Sequence, residues 1–264
     1  RVYGYDPLSK ARAALNRAGG VALESPLAVF SKVKILITSL PSAKALHAVC
    51  KEVEGKGAVV IETSTLPIKE KIKARDTLKK KGITLLDCPL SGTGAQAKVG
   101  DLVVFGSGDK AAFSKVVSTL KGFSRGHHYL GEFGNGSKMK FVANLMVAIH
   151  NVSAGEAFAL GIKAGLAPQA IFDVQANSAG TSRMFQVRGP MMVKGRYDDV
   201  TMKNEVWQKD MKIIGDYARS LGVATPTFKA SAGVYKAAMA QGFARQDTGA
   251  VCAVLERMSG VRRR

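Results

Sequence analysis

The amino-acid sequence predicts an α/β domain followed by an all-helical domain, with one long helix joining the two. Over the first half of the 264 residues, short β-rich runs alternate with helical stretches, which is typical of a parallel sheet covered by helices. Beyond Ser137 the sequence shows helical patterns and no clear strand pattern. We therefore expect the α/β domain at 1–136, the connecting helix at 137–165 and the helical domain at 166–264.

The first domain is predicted from β-rich runs that are each followed by a helical stretch. The run at 33–38 is apolar and β-branched, whereas the charged stretch at 68–80 has helical spacing. Strands are expected at 1–5, 33–38, 58–62, 83–87, 102–105 and near 128–130, and helices at 8–18, 42–54, 68–80 and near 109–120. Such βαβ repetition requires helices on both faces of the sheet.

The second part of the chain begins with a long helical pattern. From 137 to about 163 the sequence contains no proline and few glycines, so we expect one helix of about 25–29 residues, roughly 40 Å long. Further helices are expected at 168–177, 198–222, 225–241 and 246–258. Pro226 falls at the start of one of them, where its missing backbone N–H does no harm.

The chain is strongly basic, with a net charge of +19 from 39 Lys and Arg against 20 Asp and Glu. Such a charge can attract nucleic acid, an anionic membrane surface, or an anionic cofactor or substrate. The basic residues are spread along the chain, and the runs at 69–75 and 79–81 have the spacing of a helical face. We interpret this face as solvated, with a polyanion-binding site as the alternative.

Cysteine and histidine usage does not indicate a disulfide framework or a metal site. Cys50, Cys88 and Cys252 are widely separated, and the adjacent His127 and His128 are expected in a surface turn. No run approaches twenty apolar residues, and the first residues lack the order of a signal peptide. We therefore expect no metal ion, no membrane span and a cytoplasmic location, with a mitochondrial location as the alternative.

A glycine-containing run at 92–97, G-T-G-A-Q-A, follows a predicted strand and fits the G-x-G-x-x-A form of a dinucleotide-binding loop. Its context argues against that function, because Gly100 and the strand at 102–105 arrive before a helix of three turns could form. We expect instead a turn whose backbone N–H groups and whose Ser91 and Thr93 hydroxyls face an anionic group such as a carboxylate. A turn with a purely structural role is the alternative.

Two separate motifs carry a resemblance to a known family. Residues 87–95 have the sequence D-C-P-L-S-G-T-G-A, and residues 134–144 have the sequence G-N-G-S-K-M-K-F-V-A-N. They resemble the motifs D-x-P-V-S-G-G-x-x-x-A and G-x-G-x-x-x-K-x-x-N-N of the β-hydroxyacid dehydrogenases, the family of 3-hydroxyisobutyrate and 6-phosphogluconate dehydrogenases. Four residue pairs match in the same order: Leu40-Pro41, Ser64-Thr65, Glu156-Ala157 and Lys209-Asp210. The resemblance implies a Rossmann-type dinucleotide-binding domain and an all-α C-terminal domain.

The sequence differs from the family pattern in two places. The family begins with a strand and a G-x-G-x-M-G pyrophosphate loop, whereas residues 1–6 already match the family's second strand. Because loss of a central strand would leave backbone groups unpaired, we expect the protein to be longer than this chain; a protein that binds the cofactor poorly is the alternative. The second difference is Ala143, which stands where the first of two asparagines is usual and leaves Asn144 in place.

The resemblance implies that Lys140 is the general acid/base and that Asn144, one helical turn further on the same face, assists it. Without the resemblance, a lysine in a helix is most often exposed to solvent. The resemblance also implies that Ser91, Gly92 and Thr93 bind the substrate carboxylate, a role that suits backbone N–H groups in a turn.

The resemblance places cofactor contacts at the ends of three strands and in the helical domain. Asp6 follows the first strand, where a carboxylate accepts from ribose hydroxyls and repels a 2′-phosphate, so NAD is expected rather than NADP. An Asp-Pro helix start explains Asp6 equally well. The other expected cofactor contacts are Leu40, Pro41, Ser64, Thr65 and Lys209, with Asp210 supporting the lysine.

The resemblance favours an oxidoreductase that acts on a small hydroxy acid such as L-threonate or 3-hydroxyisobutyrate, because the run at 178–185 is most similar to the L-threonate dehydrogenase branch. The alternative is a non-catalytic member that binds a polyanion or chromatin, and the net charge of +19 favours it. Such members have typically lost the lysine that stands at Lys140. The family uses its long helix for dimer contacts, so an assembly subunit is a third hypothesis, and a homodimer or homotetramer is expected.

Overall fold

The computed structural model describes residues 1–263, apart from the side chain of Ala95, and divides into two compact units. The first unit is Arg1–Lys140, and the second begins at Phe141. The strands of the first unit are β1 (Tyr3–Gly4), β2 (Val21–Ala22), β3 (Ile35–Thr38), β4 (Val59–Glu62), β5 (Thr84–Asp87), β6 (Leu90–Ser91), β7 (Leu102–Gly106) and β8 (Ser124–Tyr129). Its helices are α1 (Ser9–Arg17), α2 (Pro26–Phe30), α3 (Ala43–Glu52), α4 (Ile68–Lys80), α5 (Gly94–Lys98) and α6 (Lys110–Lys121), followed by the start of α7 (Asn135–Lys163).

Parallel pairing predominates in the first unit. Strands β3, β4 and β5 form one parallel sheet, in which Ile35 lies opposite Val59 and Val59 opposite Thr84. β1 pairs in parallel with β2, and β7 pairs in parallel with β8. β6, a strand that was not predicted, runs antiparallel to β7 and so differs from the parallel pairing that the sequence predicts. The reason is the short link through α5, because a parallel pair needs a crossover of about a dozen residues or more.

Helices cover both faces of the sheet of β3, β4 and β5. β4 is buried along its whole length, and its successive side chains enter two different clusters. Val60 packs with Leu46 of α3 and Leu78 of α4, whereas Ile61 packs with Phe113 and Leu120 of α6. Because successive strand residues point to opposite faces, these two clusters lie on opposite faces of the sheet.

The second unit is helical throughout its described elements. After the rest of α7 come α8 (Pro168–Gln175), α9 (Arg183–Lys194), α10 (Asn204–Ser220), α11 (Pro226–Ala240), a 3₁₀ turn (Thr248–Ala250) and α12 (Val251–Met258). Three stacked rings mark its core, with centroid distances of 5.4 Å between Phe158 and Phe185 and 5.9 Å between Phe172 and Phe185. An α/β unit followed by a helical unit confirms the predicted fold class.

Helix α7 is long and apolar enough, by length and composition, to cross a membrane. Core helices of other proteins meet the same criterion, and α7 contributes Phe141, Ala148 and Phe158 to buried positions. The composition of α7 is therefore weak evidence for a membrane span.

The structure corrects the predicted helices between 178 and 222. Helix α9 was not predicted, because Gly189 and Pro190 interrupt its helical pattern. Gly189 allows close packing, since a Cβ atom there would lie 2.4 Å from Cδ2 of Phe172. The helix expected at 198–222 begins only at Asn204.

Asp247 holds the segment before α10 in a non-helical conformation. Its Oδ2 accepts hydrogen bonds from the backbone N–H groups of Thr201 at 2.8 Å and Met202 at 3.1 Å, and its Oδ1 pairs with Nε of Arg188 at 2.8 Å. Burial opposes ionisation of Asp247, but Arg188 and the backbone donors hold the pKa of this carboxyl below its ordinary value. A carboxylate distant in sequence therefore decides where α10 begins.

Candidate active site

Helix α7 begins in close contact with two strands. A Cβ atom on Gly136 would lie 2.2 Å from the carbonyl oxygen of Phe105 and 2.6 Å from that of Asp87, so glycine is required at this approach. Lys140 lies one turn later and is half-buried. Because residues four apart in a helix lie on the same face, Lys140 and Gly136 share one face of α7.

A buried ionic network holds the first turn of α7. The Lys71 ammonium lies 2.6 Å from Oε2 of Glu62 and 2.8 Å from Oδ1 of Asp87, and all three side chains are fully buried. Asp87 also accepts hydrogen bonds from the backbone N–H and from the hydroxyl of Ser137, each at 2.8 Å. The carboxylate at the end of β5 thus binds the start of the helix that carries the proposed acid/base.

Most lysines of α4 are exposed, as predicted for a solvated basic face, but Lys71 is buried. Lys71 lies on the buried side of the helix together with Ala74 and Leu78, at the spacing of three and four residues that marks a core face. Burial alone would lower the pKa of Lys71, but Asp87 and Glu62 raise it above its ordinary value. Lys71 is therefore a buried cation, which is rare unless acidic partners are present.

The turn that follows β6 was predicted to bind a carboxylate, and one of its backbone donors already has a partner. Gly92 adopts a φ of +127°, and a Cβ atom there would lie 2.6 Å from Cδ2 of Leu102. The backbone N–H of Thr93 donates to Oε1 of Gln96 at 2.8 Å, so this donor is already used. The helix that follows, α5, has five residues, which agrees with the rejection of a pyrophosphate loop at 92–97.

Five of the six residues expected to contact the cofactor follow strands β1, β3 and β4 of the first unit. Ser64 connects two of them, because its hydroxyl accepts from the backbone N–H of Leu40 at 2.7 Å. Asp6 accepts from the backbone N–H of Leu8 at 2.8 Å, which is the helix-start interaction expected of Asp-Pro. Within the described residues, the buried Thr38 hydroxyl at the end of β3 has no hydrogen-bond partner. An unsatisfied polar group at this edge fits a dinucleotide, since ligands of parallel sheets bind at the carboxyl ends of strands.

In the second unit, Asp210 connects two of the predicted site residues. Asn144 is buried and donates through Nδ2 to Oδ2 of Asp210 at 2.9 Å. The Lys209 ammonium lies 3.3 Å from Oδ1 of the same carboxylate. Trp207 is buried and packs against Tyr235 at 6.1 Å between ring centroids, as expected of a packing residue.

Three residues of this geometry, Glu62, Lys71 and Ser137, were not predicted from the sequence. Ser137 occupies a variable position of the G-x-G-x-x-x-K motif, and Lys71 resembled its exposed neighbours in composition. The apolar spacing around Lys71 is the one pattern that could have indicated its burial.

The remaining reactive groups do not add a metal or a nucleophile to this region. Among residues 1–263, no group of three or more His, Cys, Asp and Glu residues is placed to hold a metal ion. Cys88 lies next to Asp87, and burial raises the pKa of its thiol to about 12. Cys88 is therefore a protonated thiol that contributes to packing.

Known proteins match both units. Residues 1–131 match the family model described as the NAD-binding domain of 6-phosphogluconate dehydrogenase. Residues 134–255 match the model described as NAD-binding of NADP-dependent 3-hydroxyisobutyrate dehydrogenase. The L-threonate dehydrogenase of Cupriavidus necator is 32% identical over 243 residues, which cover 89% of this chain and 81% of that protein.

Two further comparisons extend over almost the whole chain. The 2-(hydroxymethyl)glutarate dehydrogenase of Eubacterium barkeri is 26% identical over 266 residues, covering 98% of this chain and 88% of that protein. The crystal structure of 3-hydroxyisobutyrate dehydrogenase from Salmonella typhimurium superimposes with a TM-score of 0.86 at 26% identity, covering 96% of this chain and 90% of that one. As its motifs indicated, this chain belongs to the β-hydroxyacid dehydrogenases, a family of NAD(P)-dependent oxidoreductases.

Proposed function

We propose that this protein interconverts a small hydroxy acid and its carbonyl form, with Lys140 as the general acid/base. One observation carries the proposal: the helix that bears Lys140 is bound to the strand end that leads into the turn at 91–93. Asp87 connects the turn at 91–93 with the start of α7. Its backbone continues to Ser91, and its side chain binds Ser137, three residues before Lys140.

Lys140 supports both directions of the reaction. In the oxidation, the O–H bond of the alcohol breaks while a hydride leaves the adjacent carbon, so a nearby group must accept the proton. The neutral amine of Lys140 accepts that proton, and in the reduction its ammonium returns a proton to the carbonyl oxygen. A nicotinamide cofactor, when bound, supplies the hydride acceptor or donor.

We assign the substrate carboxylate to the turn at 91–93. Oε1 of Gln96 accepts from the Thr93 backbone N–H at 2.8 Å and from the Thr93 hydroxyl at 3.4 Å. We therefore assign the carboxylate contacts first to the Ser91 hydroxyl and the Gly92 backbone N–H, and to the Thr93 hydroxyl once it turns away from Gln96. Hydrogen bonds to a charged group contribute about 1.5–3 kcal/mol each, enough for one such turn to orient the substrate.

In the first unit, we assign the cofactor contacts to residues that follow strands β1, β3 and β4. Asp6 would accept from ribose hydroxyls, while Leu40, Pro41, Ser64 and Thr65 line the strand ends. In the second unit, Asp210 orients both Lys209 and Asn144 through the bonds described above. Asn144 supports the acid/base from the next turn of α7.

Turnover with a panel of acids tests this function. Full-length protein is incubated with NAD and L-threonate, 3-hydroxyisobutyrate or 2-(hydroxymethyl)glutarate, and with the matching amides, while reduced nicotinamide is followed by absorbance. We expect oxidation of at least one acid, with kcat/KM about 10–100-fold lower for its amide, because the amide lacks the charge that the turn binds. Cofactor binding without turnover of any hydroxy acid would contradict the proposal. Salt-sensitive binding of DNA in place of turnover would support the polyanion alternative.

We propose NAD rather than NADP as the preferred cofactor, and Asp6→Asn tests the reason. Asparagine keeps an oxygen that can accept from the N–H of Leu8 but removes the charge that repels a 2′-phosphate. We expect the ratio of kcat/KM for NAD to that for NADP to fall by about tenfold, equal to roughly 1.4 kcal/mol, with an unchanged Tm. An unchanged ratio would mean that Asp6 only starts α1. Asp216→Asn, which removes an exposed carboxylate paired with Lys212, is the matched control.

A further inference from the structure

We infer that Asp87 is a positioning residue for proton transfer. Its ionised carboxylate, held by Lys71, fixes the rotation of α7 about the helix axis and its position along that axis. The first turn of α7 in this way determines where the Lys140 amine lies. This inference rests on the proposed function of Lys140.

The Asp87 carboxylate is held by four donors. Oδ1 accepts from Lys71 at 2.8 Å and from the Ser137 hydroxyl at 2.8 Å. Oδ2 accepts from the Ser137 backbone N–H at 2.8 Å and from the Ser107 hydroxyl at 3.2 Å. A carboxylate with donors on both oxygens has one orientation, so it provides a fixed point at the end of β5.

Successive N–H groups of α7 are bound to this fixed point. The N–H of Gly136 donates to the Ser107 hydroxyl at 2.9 Å, and the N–H of Ser137 donates directly to Asp87. These are donors of the first helical turn, which have no partner within a helix. Rotation or sliding of α7 would break both bonds and drive Gly136 against two carbonyl oxygens. Because Lys140 follows one turn later in the same helix, its position depends on the position of this first turn.

The network carries a cost in stability. Three buried charges carry a desolvation cost of several kcal/mol each, and apolar residues of similar volume often stabilise a fold equally well. An anion at a helix N-terminus, however, both binds the free N–H groups and interacts favourably with the helix dipole. The charge of Asp87 is therefore placed where it can orient α7 and act electrostatically on it.

Other charged groups around Asp87 leave a net negative charge at this point. Glu62 on β4 and Lys71 on α4 are buried beside it, and Lys138 on α7 is exposed and bonds to Oδ1 of Asn135. Removing the charge of Asp87 changes the sum of the three buried charges from −1 to 0. A nearby amine would then lose its proton more easily.

Two variants of the full-length protein test this inference, with Asp216→Asn as the control. Asp87→Asn removes the charge, and Ser137→Ala removes one bond to Asp87 while keeping its backbone N–H. We expect kcat to fall about 100-fold in Asp87→Asn, as for a catalytic group misplaced by about 1 Å, and about 5–10-fold in Ser137→Ala. The Kd for NAD should change by less than about twofold in both variants, since a misplaced amine affects the reaction and not cofactor affinity.

The pH dependence separates positioning from a merely structural role. In Asp87→Asn, the acidic limb of the kcat/KM profile for oxidation should move to lower pH, because loss of a nearby negative charge favours the neutral amine. A lower Tm with an unmoved limb and an unchanged kcat would overturn the inference. If Asp87→Asn does not fold, Ser137→Ala decides, and a kcat within about twofold of the parent then overturns it. Lys140→Ala separates a failure of this inference from a failure of the proposed function. Full activity in Lys140→Ala would contradict the proposed function itself.

Discussion

Replacement of Lys140 by alanine should reduce kcat for oxidation of the hydroxy acid by several hundredfold or more. A positioned general acid/base contributes about 100–10,000-fold to a rate, and alanine offers no group to accept the hydroxyl proton. The Kd for NAD should change little, because the assigned cofactor contacts remain. Steady-state kinetics with the best acid of the panel, together with a binding titration, measures both quantities.

The neighbouring lysine on the same helix provides the control. Lys138 is exposed, and its amine bonds to Asn135, so Lys138→Ala should keep a kcat within about twofold of the parent. Added small primary amines should restore part of the activity of Lys140→Ala and none of that lost in other variants. Near-parental turnover in Lys140→Ala would contradict the assigned role.

Substitution of Gly136 by alanine should have the largest combined effect on stability and activity. Its Cβ atom would meet two backbone carbonyl oxygens, which cannot move away as a flexible side chain could. We expect a loss of about 3 kcal/mol, the upper end for an overpacked site, or roughly 6–12 °C in Tm. The displaced helix start should also lower kcat by about 100-fold.

Gly233→Ala is the matched control for this substitution. Gly233 lies inside α11, is exposed and has no atom near the position of an added Cβ. Alanine there should leave Tm unchanged or raise it, because glycine within a helix costs about 0.5–1 kcal/mol relative to alanine. Parental Tm and kcat in Gly136→Ala would show that α7 does not depend on this close approach.

Elements with strong local periodicity were predictable from the sequence. The helix expected at 68–80 is α4 (Ile68–Lys80), and the expected strands at 33–38, 58–62 and 83–87 contain β3, β4 and β5. Their patterns repeat within a few residues, so no distant contact is needed to recognise them. The short elements β2, α2, β6 and α5, of two to five residues, gave no such pattern.

Elements decided by distant contacts were not predictable. α9 contains Gly189 and Pro190, and its stability comes from packing on Phe172 and on other residues of the core. The segment 198–203, which was predicted as the start of a helix, is held in a non-helical conformation by Asp247, 46 residues beyond Thr201. A prediction from local sequence patterns does not include the contact with a carboxylate so distant in sequence.

In the candidate site, too, local motifs were predictable and distant contacts were not. Lys140, Asn144 and the turn at 91–93 were predicted from motifs, and the structure places Lys140 on a helix bound to the strand before that turn. Asp87 was recognised only as a motif letter, because its contacts with Lys71 and Ser137 join segments that are 16 and 50 residues away. The motifs therefore predicted the candidate site residues but not the buried ionic network at the start of α7.

The distance between Nζ of Lys140 and the reacting hydroxyl oxygen of a bound hydroxy acid tests the central claim most directly. It is measured in a crystal structure of the protein with hydroxy acid and nicotinamide cofactor bound. We expect about 2.6–3.2 Å, with the substrate carboxylate at the turn at 91–93. A Lys140 side chain directed into solvent, with the hydroxyl bound by another residue, would contradict the mechanism.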